Sequence, residues 1–288
     1  MAKLTIHEKG VSGKLTVFDP LMKSKHWLAA KLESDPETGQ TFTVEEKNEG
    51  AKFIIDHLWS KANSAELLLR LGDKTPVFLP VPSTTGANVL ASYFAKILYE
   101  EFGGEILEGF QFIAPLHQVP MKDIPSQYRP FIIRKYFLEN KEILLSLTAN
   151  KAVVVVDDVF STGASAKYFC NYLKLNQIQV HTVAGLIGDT RLTAEPQLIS
   201  KLQRTLKNSN LTQLKAKNIT DQLSRGQIIV LIDLINKTKS HDELGQIAGF
   251  LQIALDGGTV KSLQRNLRGP LGIFANIGRN GYSGPDAD

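Results

Sequence analysis

The valines at 153, 154, 155 and 156 form a continuous β-branched apolar run. Such a run, without polar alternation, predicts a strand buried on both faces, as in a parallel sheet. Asp157 and Asp158 follow at its end, and then the small residues Ser161, Thr162, Gly163, Ala164 and Ser165. Beyond them Tyr168, Phe169, Tyr172 and Leu173 recur at spacings of three and four, which predicts a helix. The same order appears upstream. Residues 76–82 read as a short buried strand ending at Pro82, Ser83, Thr84, Thr85 and Gly86 as a loop, and Val89, Leu90, Tyr93, Phe94, Ile97 and Leu98 as one helix face. Residues 179–186 alternate and then turn apolar, the pattern of another strand. Repeated strand–loop–helix units predict an α/β fold with a Rossmann-like parallel sheet.

The flanks read differently. Residues 3–47 look like short strands and turns, with a turn signal at 34–39 between extended pieces at 27–32 and 41–44. A helix is expected over 48–71, with Phe53, Ile54, His57, Leu58 and then Leu67, Leu68 and Leu69 supplying its apolar side. Residues 105–113 read as extended and 137–147 as a helix. Between them, 114–135 form a long segment with four prolines, the length expected of a functional lid or of a disordered segment. Residues 190–220 suggest a linker with one helix. Two amphipathic helices follow, one through Ile228, Leu231, Ile232 and Ile235, the other starting at a capping box at Ser240. The organisation expected is a β-rich cap (1–47), an α/β domain (48–188) and a helical C-terminal extension with an irregular tail (189–288).

Composition narrows the class. The hydrophobic share is 43% and the charged share 22%, ordinary for a globular chain. The single cysteine, Cys170, excludes an internal disulfide and a multi-cysteine zinc site. No stretch approaches the ~20 apolar residues that span a bilayer, and the first residues lack an apolar core segment, so a cytoplasmic location is expected. The net charge is +4. From Lys201 onward 12 Lys+Arg stand against 7 Asp+Glu, so the basic excess lies entirely in the last third. That is either a solvated helical surface or a nucleic-acid footprint.

Candidate chemistry concentrates on the two loops. Small residues entering a helix offer backbone N–H groups and the positive end of the helix dipole, and the hydroxyls of Ser161, Thr162 and Ser165 add donors. Together they suit a phosphate. Two adjacent carboxylates instead want hydroxyls or a hydrated divalent cation between them and such a ligand. A phosphorylated sugar with magnesium satisfies both.

The stretch from Val153 to Ser165 resembles the signature of type I phosphoribosyltransferases, which bind 5-phosphoribosyl 1-pyrophosphate (PRPP). The resemblance covers roughly residues 52–188. It implies that Asp157 and Asp158 hold the ribose hydroxyls and, indirectly through PRPP and water, Mg2+. It implies that Ser161, Thr162, Gly163, Ala164 and Ser165 cradle the 5′-phosphate, and that Ser83, Thr84, Thr85 and Gly86 bind pyrophosphate. A basic residue from the long loop would close on the pyrophosphate; Arg129 is the first choice, with Lys122 and Arg134 behind it. Phe160, where an aliphatic residue is commoner, and the lead-in Pro80-Val81-Pro82 are similar to the competence and amidotransferase branches. The sequence departs from the family in placing no basic residue in or just after the loop at 83–86.

Two functions remain open on this reading. One is an enzyme that moves the phosphoribosyl group of PRPP to a nitrogen nucleophile, a nucleobase or an amine, releasing pyrophosphate. The other is a catalytically inactive protein that binds PRPP or a nucleoside 5′-monophosphate and acts on nucleic acid or a protein partner through its basic helical end. The C-terminal helices are also candidates for a homo-oligomer contact.

Overall fold

A computed structural model describes residues 10–14, 21, 24–83, 88–108, 113–115, 136–138 and 140–255. The chain is α/β. Its main sheet has five strands, all parallel: β1 (Val11–Lys14), β2 (Pro76–Pro80), β3 (Glu105–Ile106), β6 (Ala152–Phe160) and β7 (Val180–Gly188), in the order β1-β7-β6-β2-β3. A separate antiparallel pair joins β4 (Ile113–Pro115) to β5 (Tyr136–Leu138). The described helices are α1 (Lys25–Lys31), α2 (Val44–Leu58), α3 (Lys61–Leu71), α4 (Val89–Phe102), α5 (Lys141–Thr148), α6 (Ala164–Leu175), α7 (Pro196–Asn208), α8 (Ala216–Gln222), α9 (Arg225–Lys237) and α10 (His241–Leu255).

β6 is central, with β7 on one side and β2 on the other. Its four valines are at most 1% exposed; each contributes about 1.5–3 kcal/mol by leaving water. Alternation along the strand splits them between two cores. Val154 and Val156 pack with Phe78, Ala184 and Leu186 under α1 to α4. Val153 and Val155 pack with Val77, Leu79 and Val183 under α5 to α10. Helices therefore cover both faces, which is why the run reads as continuously apolar.

The chain leaves β2 through α4 on one face toward β3, and leaves β6 through α6 on the other face toward β7. The adjacent strands β2 and β6 thus diverge at their carboxyl ends. In open α/β sheets that divergence is the crevice where ligands bind.

Several expectations are corrected. Among the described residues of the N-terminal segment (10–14, 21 and 24–47) helix outweighs strand. β1 belongs to the central sheet, and 27–32 is not extended but falls mostly in α1. Ser24 caps that helix by accepting from the Trp27 amide at 3.2 Å, and Trp27, Ala29 and Ala30 are buried. The expected turn at 34–39 is present: Asp35 accepts from the amides of Glu37 and Thr38. The 48–71 helix is two helices. Trp59 ends α2, and Ser60 starts α3 with a reciprocal capping box to Asn63. Their buried faces run through Ile54, Ile55, Leu58, Leu67 and Leu71, leaving Phe53 43%, Leu68 55% and Leu69 84% exposed. His57 is exposed as well. Residues 137–147 divide between β5 and α5, and 190–220 hold two helices, α7 and α8.

The C-terminal helices are part of the core. Leu202, Leu206, Ile219, Ile228, Leu231, Ile232 and Leu251 share one cluster with Val153, Val155 and Phe169. The apolar faces of α9 and α10 are turned to the sheet's own side. Cys170 lies fully buried in that cluster, and burial pushes its thiol up to about 12. Among the described residues no helix is long and apolar enough to cross a membrane.

Candidate functional site

The loop after β6 begins at Ser161 and enters α6 at Ala164. Gly163 makes the turn with φ 70° and ψ 10°, in the left-handed region, and a Cβ there would stand 3.1 Å from Leu192 Cδ2. Glycine is the residue that reaches this conformation without strain. As the first residues of a helix, Ala164, Ser165 and Ala166 have no intrahelical acceptor for their N–H groups. Asp157, Val159 and residues 161–165 line a small pocket of about 40 Å³.

The back of the loop is braced. Ser224 donates its hydroxyl to the Thr162 carbonyl. The same oxygen of Ser224 caps α9, accepting from the Gln227 amide at 3.2 Å. Gly226 presses against the loop so closely that a Cβ on it would lie 2.6 Å from the Thr162 carbonyl oxygen. Between them, Arg225 is held by Glu195 at 2.9 Å and by Asp189 at 2.8 Å. Phe160 finds room because Gly185 on β7 has no side chain: a Cβ there would collide with its ring.

The two acids are both buried, Asp157 at 6% and Asp158 at 4% exposure. They serve different surroundings. Asp157 lines the loop pocket, and its Oδ1 accepts from Asn88 Nδ2 at 3.2 Å and from the Asp158 amide at 3.0 Å. Asn88 is the residue that opens α4. Asp158 turns to the other side and forms an ion pair with Lys31, the last residue of α1. Its Oδ1 accepts from the Val159 amide at 2.8 Å. Burial works to raise the Asp158 carboxyl, but the charge and hydrogen bond of Lys31, with the Val159 amide, hold it below the usual carboxylate range. Burial likewise works to lower the Lys31 ammonium, and Asp158 outweighs it, so Lys31 stays above its ordinary 10.5.

The structure thus brings Asp157, Asp158, Ser161, Thr162, Gly163, Ala164 and Ser165 to one place at the carboxyl end of β6. Ser83 follows β2, the neighbouring strand. Thr84, Thr85, Gly86 and Arg129 lie outside the described residues, as do Lys122 and Arg134. Sequence reasoning missed Lys31, Asn88, Ser224 and Gly226. Ser224 carried a readable signal, a Ser-x-x-Gln capping box. Lys31 carried none, because its partner is 127 positions away.

The acid pair does not fit a directly held metal ion. Both oxygens of Asp158 are engaged by Lys31 and the Val159 amide, and among the described residues no group of three or more His, Cys, Asp or Glu could hold one. No family model matches the chain, and no curated protein or solved structure matches it either.

Proposed function

We propose that the chain binds PRPP at the carboxyl end of β6 and transfers its phosphoribosyl group to a nitrogen nucleophile, a nucleobase or an amine. The observation that carries this reading is the loop pocket of residues 161–165 set beside two buried acids, at the point where β2 and β6 diverge. The amides and hydroxyls of the loop suit a 5′-phosphate. Asp157, on the pocket wall, suits a ribose hydroxyl, since a carboxylate accepts strong hydrogen bonds from O–H donors.

In the reaction the bond between C1 and the pyrophosphate oxygen breaks, and the bonding pair leaves with pyrophosphate. The nucleophile's nitrogen lone pair forms the new C1–N bond, and the nitrogen then gives up its proton to water. Positive charge grows on the sugar as pyrophosphate departs, and the buried carboxylates are fixed charges of the sign that stabilises it. Magnesium enters, on this reading, only as a companion of the ligand's pyrophosphate.

Calorimetry of the full chain with PRPP and with a nucleoside 5′-monophosphate tests the binding step. Gly163→Val should abolish binding of both, because the substitution strains the turn and drives the loop against Leu192 behind it. Unchanged affinity in that variant removes the site. Pyrophosphate release across a panel of nucleobases and amines tests the transfer step; binding without release under any acceptor leaves a nucleotide-binding protein.

A further inference from the structure

The charge balance at the acid pair supports one further step, which rests on the ligand reading above. An anionic ligand drawn to the loop stands beside two buried carboxylates, and like charges at such distances repel unless a cation lies between them. Lys31 is the cation already paired with one of those carboxylates, Asp158. Trp27 and Ala30 fix α1 on the sheet face of Val154 and Val156, so Lys31 reaches Asp158 from the face opposite the loop pocket. Its charge also acts on Asp157. An ammonium carries three N–H donors. One is spent on Asp158, and among the described residues no acceptor takes the other two. The side chain keeps 29% of its surface open.

We propose that Lys31 contacts the ligand. Held on Asp158 by one N–H, it turns the others toward the diphosphate on C1, while the loop holds the phosphate at the other end of the sugar. It thereby supplies the positive charge that the acid pair would otherwise require from a metal ion. The loop and Lys31 lie on opposite faces of β6, so one ligand lying across the strand end meets both.

The test uses the full chain, titrated calorimetrically with PRPP and with ribose 5-phosphate, which lacks the diphosphate, with and without Mg2+. Lys31→Met should weaken PRPP by about tenfold or more, the scale of a lost charge-assisted hydrogen bond, and should weaken ribose 5-phosphate, which keeps only the loop-bound phosphate, clearly less. Lys31→Arg should recover most of the loss. Unchanged or tighter PRPP binding in Lys31→Met overturns the assignment, the latter by showing that Lys31 competes with the ligand. Gly163→Val is the control: it should lose both ligands. If the wild-type chain binds neither ligand, the site reading itself fails and Lys31 falls with it. Should Lys31→Met not fold, amine acylation of the wild-type chain followed by mass spectrometry decides the matter. PRPP should protect Lys31 and ribose 5-phosphate should not; equal acylation with both ligands overturns the role.

Discussion

The hydroxyl of Ser224 donates to the carbonyl of Thr162, 62 positions upstream, and so ties the start of α9 to the loop after β6. The loop is therefore shaped from behind by a helix whose own first turn depends on the same oxygen. Ser224→Ala removes both bonds. A cap and a buried hydrogen bond together predict a loss of roughly 1–2 kcal/mol in unfolding free energy. Chemical denaturation should show that loss, and hydrogen exchange should quicken at the amides of 161–165. Unaltered exchange there would mean that the brace does not hold the loop.

Two helical glycines should respond in opposite directions to alanine. At Gly226 the added Cβ meets the Thr162 carbonyl oxygen at 2.6 Å, with the Thr162 Cα at 2.7 Å. Backbone cannot swing aside as a side chain can, so Gly226→Ala should destabilise by about 1–3 kcal/mol. At Gly245, in α10, a Cβ meets nothing within 4 Å. Gly245→Ala should stabilise by up to about 1 kcal/mol through helix propensity alone. Thermal melts of both variants check the signs.

The Lys31–Asp158 pair gives stability a defined pH window. The Asp158 carboxyl titrates below its ordinary 3.8 in the folded chain, so its contribution is present above that value and lost as pH falls through the folded one. Lys31 titrates above 10.5, so its contribution is complete below that and lost as pH rises further. The deficit of Lys31→Met against wild type should therefore be flat between these limits and shrink toward both extremes. On the plateau it should be roughly 3 kcal/mol, the low end for breaking a buried pair, because Lys31 keeps some solvent. Denaturant titrations across pH test the shape as well as the size.

A chain ending at Gly188 should not fold to a soluble monomer. Removing α7 to α10 uncovers Val153, Val155 and Phe169 on one sheet face. An apolar surface of that kind self-associates. Size-exclusion chromatography with dye binding should show aggregates or an expanded, dye-binding state. A compact monomer would mean that the sheet is covered without these helices.

The strands β2, β6 and β7 and the helices α9 and α10 were readable in the sequence because their signals are local. Four consecutive valines specify a doubly buried strand, and Ile228, Leu231, Ile232 and Ile235 repeat at helical spacing. The N-terminal segment misled because α1 has only seven residues. A helix that short is marginal on its own and is stabilised by packing, so its sequence need not look helical. The candidate site divides the same way. The loop and its acids form one contiguous motif, whereas Lys31, Asn88 and Ser224 reach it through tertiary structure.

The pairing of Val11 with Ala184, at the sheet edge made by β1 and β7, also sets a timetable. Chains emerge from the ribosome at about 5–20 residues per second, so β1 waits roughly 10–30 s for the strand it must join. Through that interval it is a bare strand with no ladder, available to holding chaperones and to neighbouring nascent chains. The earliest of the described strands to be made is among the last to be placed.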